Sequence, residues 1–553
     1  MRVLSIAIPQ CDPSVTLQSN NNAYEWFVRK IQAMDQQKEA DLVLRAVERA
    51  AWFAGNFHSG RFSDGAVENL AFNIGKDLDA HAVELKGEPL SIDRKDGRRR
   101  VLHVAPMLAM GGHRQLLYHW ICNDRTSCHS LMLLDHVGDV PQRFNDAVRD
   151  SGGSLVTLPP KAHLCQKARS LREMARNNAD LVVWHLIGSD VAPVAAFATH
   201  EGPPVVLIDH GDHLFWLGSS VADLVVNLRT AGAELAAERR FASCTTVMPI
   251  PLLDPKAGIS RIEARRALGI AEDQVMLLSV GRAEKYRPYG SYDFVSTANK
   301  ILDLHPNTHL YVVGESAAAI APFLHCKIHD RLHFMGSIED PSIYRTAADI
   351  YLESFPFGSQ TALLEAALSG LPVVPAYAPL FPLLVANDDA LTDILQNPKN
   401  EQEFIKRVEL LICEPEQRLA LGDALRKRLL ADHVGKGWLE RLAALYEKAE
   451  SLTHNPRIIP ASSCKMTNMD INLSQWHVMT GRPHSSVSPD DVIRAGLYHA
   501  AFVAKIVGDY ATARRHAWNA VQRDTFVWAS WRLLGVAMVG KMGLFFRQLL
   551  SHA

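Results

Sequence analysis

The chain contains no Cys-x-x-Cys pair, and its eight cysteines, at 11, 122, 128, 165, 244, 326, 413 and 464, are scattered. That excludes a zinc module or a disulfide framework and fits a reducing compartment. Charge of one sign is equally lacking. Fifty-eight Lys and Arg against 60 Asp and Glu leave a net charge of −2, so the whole molecule offers no field for nucleic acid or anionic lipid. Long apolar runs are missing too: the longest late one, 533–546, is broken by Lys541 and too short to span a bilayer. Residues 1–14 lack the apolar core of a signal peptide. What is present, 48 % hydrophobic and 21 % charged residues over 553 positions, is globular composition. These features predict a cytoplasmic protein of about three to four domains that does not bind nucleic acid.

Four zones are expected. Residues 1–98 read as a helical region, with helical spacing over 23–34 and 39–57, and end in the charge run 93–100, expected to be a solvated linker. In residues 99–243 short Val- and Leu-rich runs alternate with helical stretches, at 101–108, 130–134, 154–158, 180–186, 205–210 and 223–228. Strands buried on both faces look like this, and their alternation with helices predicts a parallel sheet of right-handed crossover units. Residues 244–452 repeat the grammar at 247–253, 275–280, 309–313, 332–334, 350–354 and 373–376. The expected fold is therefore α/β, two tandem doubly wound, Rossmann-like domains with a ligand crevice facing the carboxyl ends of their strands. Residues 456–553 are expected to be helical again. There, Gly508, Tyr510, Ala513, Ala517 and Ala520 have the spacing of one tetratricopeptide-like unit, weak evidence because such repeats gain a core by stacking. Trp528, Trp531, Leu534, Phe545 and Phe546 form an apolar set expected to dock on the body, with a membrane-lying helix as the less favoured reading.

The strongest chemical signal is residues 351–374, which read as strand, glycine turn, helix, glycine stop and next strand. Gly358 allows close approach of a ligand. Ser359, Gln360 and Thr361 stand where the first helical N–H groups are unpaired, and such a terminus binds phosphate. Glu365 falls a turn further in, on a face that would meet a ribose diol. The competing reading makes Ser359 and Thr361 an ordinary helix cap and Glu365 a solvated acid. Arg282 and Lys285 follow Gly281 at the end of the strand 275–280, where two cations would neutralise a diphosphate, unless adjacent Glu284 pairs with them at the surface. Backbone groups near Gly336 and Ser337 are candidates for a base edge. Gly111 and Gly112 form a turn after the first strand, suited to a phosphate or an acceptor. Two Asp and two His cluster in 208–216: His210 or His213 would serve as general base, with Asp209 or Asp212 orienting the ring, or the histidines are satisfied locally in a loop. Arg229 is a further crevice candidate, and His185 reads as a packed strand-end residue.

Together these motifs resemble the retaining glycosyltransferases of GT-B fold, family four. The resemblance covers about residues 100–450 and rests on Gly281-Arg282 with Lys285, and on Phe357-Gly358 followed by Leu364-Glu365-Ala366 and Gly370-Leu-Pro-Val. It implies that Arg282 and Lys285 hold the donor diphosphate and that Glu365 binds the nucleotide ribose. That family carries a second glutamate eight residues before the ribose-binding one. Here the place is held by Phe357, and Glu353 lies too early to fill it in register. The wording Ser354-Phe-Pro-Phe-Gly358 with Thr361 also resembles the O-GlcNAc-transferase and HMW-C-like protein glycosyltransferases, which invert the anomeric centre, so the stereochemical outcome stays open.

The implied activity is transfer of a sugar from a nucleoside-diphosphate donor, with UDP as the expected nucleotide, to a hydroxyl or amide of a glycan or protein acceptor. Fixed cations and helix N–H groups would assist departure of the diphosphate, so neither a metal nor a resident cofactor is expected. Two alternatives are weighed: a UDP-sugar epimerase-like enzyme using the same crevice, and a decayed adaptor, for which Phe357 is the best support. Homo-oligomerisation is left open.

Overall fold

A computed structural model describes residues 12–78, 97–108, 111–255, 258–377, 389–480, 489–523, 525 and 527–540. Three helices come first, α1 (Pro13–Gln32), α2 (Ala40–Asn56) and α3 (Gly65–Lys76). Asp12 and Asp64 cap α1 and α3, accepting from the backbone N–H groups of Ser14 and Ala66.

The first sheet contains β1 (Arg99–Ala105), β2 (Ser127–Leu133), β3 (Leu155–Thr157), β4 (Leu181–His185), β5 (Val205–Asp209), β6 (Leu224–Asn227) and β7 (Thr245–Val247). Its helices are α4 (Gly112–Asn123), α5 (Gln142–Asp150), α6 (Leu164–Asn178), α7 (Ala192–Ala196) and α8 (Thr230–Arg239). The strands are parallel and lie in the order β3-β2-β1-β4-β5-β6-β7. In β2, β4, β5 and β6 every residue is buried, as strands covered by helices on both faces must be.

The second sheet follows α9 (Arg261–Leu268). It contains β8 (Val275–Val280), β9 (Thr308–Val313), β10 (Leu332–Phe334), β11 (Ile350–Leu352) and β12 (Val373–Val374), parallel, in the order β10-β9-β8-β11-β12. Helices α10 (Phe294–Leu304), α11 (Ala317–Ile320), α12 (Ser342–Ala347) and α13 (Gln360–Leu368) join these strands. In both sheets the strand order reverses beside the first strand, between β1 and β4 and between β8 and β11. Crevices at the carboxyl ends of such switch points hold ligands in doubly wound folds.

Helices α14 (Glu401–Cys413), α15 (Pro415–Asp432) and α16 (Gly435–Glu450) then return the chain to the first half. The Tyr446 hydroxyl of α16 accepts from Trp120 Nε1 and donates to Asp124 Oδ2, both at 3.0 Å. One apolar cluster runs continuously from β1, β4 and β5 through α4 to α13, α15 and α16, so the halves share a core. The last helices are α17 (Asn468–Thr480), α18 (Pro489–Ile506), α19 (Tyr510–Arg523) and α20 (Trp528–Val539). They pack with the N-terminal ones: Asn20 Nδ2 donates to Ser474 Oγ at 3.1 Å, and His58 Nε2 lies 2.9 Å from Asp470 Oδ1. The two helical ends are thus one layer built on the first half.

Three expectations change. The stretch 247–253, expected as the first strand of the second half, is no such strand. Thr245–Val247 is the edge strand of the first sheet, and Pro249 and Pro251 deprive the following residues of ladder donors. The end of the expected linker, Arg99 and Arg100, is instead the start of β1, paired with Glu450 and Asp180; residues 93–96 lie outside the described residues. The apolar set near the C-terminus does not dock as a whole: Trp528 is 75 % exposed, Trp531 is partly exposed, and Phe545 and Phe546 lie outside the described residues. Around it α18 and α19 form a helical hairpin in which Ala513, Ala517 and Ala520 are buried. Among the described residues no helix is long and apolar enough to cross a membrane.

Candidate functional site

The carboxyl end of β11 leads through Glu353 to the N-terminus of α13. Glu353 is fully buried, and its Oε1 accepts from the Ser354 N–H at 2.8 Å, the Ser354 hydroxyl at 3.0 Å and the Ser359 N–H at 2.7 Å. Ser359 caps α13 without a side-chain hydrogen bond, so the carboxylate of Glu353 takes part of that task from below. Burial pushes the Glu353 carboxyl above the usual range, while nearby Lys285 opposes the shift. Sequence reasoning set Glu353 aside because of its register. Its position at a strand end, before a glycine turn, was the signal that it could support the start of α13.

Lys285 comes from the loop after β8. Its ammonium donates to the Gly358 carbonyl and sits 4.4 Å from the centre of the Phe357 ring. The other edge of that ring meets His213 from the first half, with ring centres 5.3 Å apart. Phe357 therefore joins a cation of one half to a histidine of the other. Gly281 is needed where it stands, because a Cβ there would lie 3.1 Å from both Lys285 Cδ and Ser359 Oγ. Arg282 is exposed beside this loop.

Across the crevice Gly111, at φ +131°, caps α4. A Cβ on Gly112 would lie 2.6 Å from Thr361 Oγ1, so the glycine turn of the first half abuts the first turn of α13. Gln360 and Thr361 open that helix, and both are partly exposed. Glu365 lies one turn beyond Thr361, on the same face. Its Oε2 accepts from Arg345 Nη1 of α12 at 3.0 Å, a partner sequence reasoning missed; its Oε1 has no hydrogen-bond partner among the described residues. Gly336 and Ser337 lie at the end of β10, where the Gly336 carbonyl accepts from the Gly314 N–H at 2.8 Å and its N–H donates to the Glu315 carbonyl at 3.0 Å. The Ser337 side is exposed.

The Asp and His cluster separates into two environments. Asp212 is gripped bidentately by Arg229, with Nε to Oδ2 at 2.6 Å and Nη2 to Oδ1 at 2.8 Å. Burial alone would raise its pKa, but that guanidinium and His213 hold the carboxyl well below the usual carboxylate range. Arg229 is itself buried, so this pair braces the loop. Asp209 accepts from the Gly211 N–H at 3.1 Å, and Arg240 Nε lies 3.9 Å from its other oxygen. Burial pushes Asp209 up to about 6 against the pull of Arg240. Asp212 thus faces Arg229 with His213 beside it, Nδ1 3.6 Å from Oδ1, and Asp209 faces Arg240. The neighbours of His210 are histidines: Nε2 lies 3.3 Å from His185 Nδ1, and the His113 ring is 4.3 Å away, centre to centre. Burial lowers His113 to about 4 and holds His210 well below the imidazole range, which keeps both neutral. Among the described residues no three His, Cys, Asp or Glu converge as metal ligands would.

Residues 260–428, which carry Arg282, Lys285, Gly358 and Glu365, match the family model described as glycosyl transferases group 1. A D-inositol 3-phosphate glycosyltransferase of Corynebacterium aurimucosum is 26 % identical over 173 residues, covering 29 % of this chain and 40 % of the relative. The match to that curated relative therefore spans less than half of its length. A glycosyltransferase from Rickettsia africae superposes with a TM-score of 0.50 at 12 % identity, covering 64 % of this chain and 98 % of its own, a likeness of fold. Anabaena HepE, solved in complex with UDP and glucose, gives a TM-score of 0.49 at 17 % identity over 64 % of this chain and 100 % of its own. The matched residues lie in the second half, and the two parallel sheets around the crevice form the two-domain GT-B arrangement.

Proposed function

We propose that the protein transfers a sugar from a nucleoside-diphosphate donor, with UDP as the nucleotide, to a hydroxyl or amide nucleophile of a glycan or protein. The observation that carries this reading is the meeting of the α13 N-terminus with the Gly111-Gly112 turn, beside Lys285. Helix N–H groups and a cation from one half, faced by a glycine backbone from the other, suit a diphosphate whose charge grows as the sugar leaves. Arg282 and Lys285 would neutralise that charge, the Ser359 and Thr361 hydroxyls and the backbone N–H groups of Gln360 and Thr361 would offer donors, and the open Oε1 of Glu365 would accept from the ribose. His210, neutral and at the end of β5, would take the acceptor proton, with Gly111 and Gly112 lining the acceptor side. The glycosyl transferases group 1 match supports the reaction class, and the UDP and glucose of the HepE complex name the donor class worth testing first. The role assigned to Arg229 in the crevice is not carried forward, because its guanidinium is engaged by Asp212.

The test is nucleotide binding by a folded Glu365→Ala variant. Loss of a charge-assisted hydrogen bond worth about 1.5–3 kcal/mol weakens UDP binding roughly tenfold or more. Calorimetry that finds UDP bound equally well by the variant refutes this placement of the ribose.

A further inference from the structure

Three strands of the first sheet each carry one histidine, a fourth, His210, directly follows β5, and the register sets the four on a diagonal. His129 of β2 pairs with Val101, two residues before His103 of β1. His103 pairs with Val183, two before His185 of β4, and His185 pairs with Ile208, two before His210. The pitch of two residues keeps all four side chains on one face, and diagonal neighbours at that spacing are within reach of ring side chains. The rings touch end to end. His129 Nδ1 lies 3.0 Å from His103 Nε2, His103 Nδ1 3.0 Å from His185 Nε2, and His185 Nδ1 3.3 Å from His210 Nε2. His129, His103 and His185 are fully buried, and the Trp120 ring of α4 covers the middle of the row.

The far end is an acceptor. His129 Nε2 faces the Asp124 carbonyl at 3.1 Å and its carboxylate at 3.3 Å. Neither oxygen has a proton to give, so Nε2 of His129 carries one, and in a row of neutral rings every ring must then donate through Nε2 and accept through Nδ1. His210 is left with a bare Nδ1, which has no hydrogen-bond partner among the described residues.

We propose that this row of histidines is a proton relay, running from His210 at the crevice across the sheet to Asp124. The proposal rests on the sugar-transfer reading of the same crevice. The acceptor O–H or N–H gives its proton to His210 Nδ1 as its oxygen or nitrogen bonds to the anomeric carbon. The bond from sugar to phosphate breaks, and its electron pair leaves on the diphosphate. His210, His185 and His103 each pass their Nε2 proton to Nδ1 of the next ring, and the charge comes to rest on the His129–Asp124 pair. Burial alone would raise the Asp124 carboxyl, but His129, Thr126 and Ser127 hold it well below the usual carboxylate range, so it stays the anion of that pair. No imidazolium remains at His103, His185 or His210, where burial disfavours one. When product leaves, the row runs backward and returns the proton to the opened crevice. The titratable groups facing the two ends are His113 and Asp209 at His210, and Tyr446 and Arg99 at Asp124.

The relay is tested by His103→Phe, which breaks the row, and by Asp124→Asn, which keeps the shape and removes the carboxylate that faces His129. Each should lower kcat by about tenfold or more, within the span of acid–base catalysis, with KM for the nucleotide sugar unchanged. In each the acidic limb of the kcat–pH profile should move to lower pH, because the crevice histidine no longer shares its proton with a carboxylate. Nitrogen NMR of the histidine rings in the unaltered protein should show all four as the Nε2–H tautomer. A proton on His210 Nδ1, or a folded variant with unchanged kcat and limb, overturns the relay. If the unaltered protein turns over no nucleotide sugar, the functional reading fails instead, and the relay loses its task with it.

Discussion

Replacing Gly112 by alanine tests whether the two halves work in the closed arrangement. Gly112 has no positive φ, so alanine costs nothing in backbone strain there, unlike at neighbouring Gly111. The new Cβ would lie 2.6 Å from Thr361 Oγ1, 0.8 Å inside the 3.4 Å at which ordinary contact begins. The same Cβ would lie 3.4 Å from Thr361 Cβ, so the hydroxyl alone makes the clash. Overpacking of this kind costs about 1–3 kcal/mol. The contact lies between the glycine turn of one half and the start of α13 of the other, so the cost falls on closure, and kcat/KM for the nucleotide sugar should drop by about 5- to 150-fold. Thr361→Ala in the same protein removes the offending oxygen and should bring kcat/KM back to the level of Thr361→Ala alone, which lacks one donor hydroxyl. The coupling between the two positions would then equal the penalty of the single change. The assay is UDP release from the nucleotide sugar for the four members of the cycle. Gly112→Ala with wild-type kcat/KM would refute the closed crevice as the working state. A double variant no better than Gly112→Ala would refute the Thr361 contact as the cause.

Two further changes probe the scaffold. Tyr446→Phe removes the hydroxyl between Trp120 Nε1 and Asp124 Oδ2, leaves a buried indole N–H unpaired, and should cost about 1–3 kcal/mol in denaturant unfolding; unchanged stability would show that α16 is not held to the first half through this bridge. Arg229→Ala strips Asp212 of its buried counter-charge and should destabilise the fold by about 3–5 kcal/mol. Intact stability with weakened nucleotide-sugar affinity would instead put Arg229 among the ligand-binding groups.

The two sheets were legible because their strands are covered on both faces, so continuous Val and Leu runs mark them without any need for alternation. Failure came where local chemistry overrides hydropathy. The run 247–253 is as apolar as its neighbours, but its two prolines cannot feed a ladder, and the chain uses it to cross between halves. Arg99 and Arg100 read as part of a solvated charge run because their partners, Glu450 and Asp180, are distant in sequence. Exposure of Trp528 was equally illegible, since helical spacing gives the apolar face of α20 but not what covers it.

The site divides along the same line. Glycine turns at strand ends, a helix start with hydroxyls and a basic pair are local patterns, and the spacing alone located them. What spacing cannot supply is the partner from another element. Asp212 and Arg229 looked like independent crevice groups until their bidentate contact tied them to each other. His185 looked like one packed strand-end histidine because its significance depends on three other strands. A histidine at one position of a buried strand is ordinary; four on or directly after adjacent strands, each offset by two residues in register, form a connected row. Strand order decides this: β2, β1, β4 and β5 are neighbours only because the sheet reverses beside β1. The same reversal that opens a crevice at the carboxyl edge therefore brings the histidines into line, so the relay and the ligand site share one topological cause.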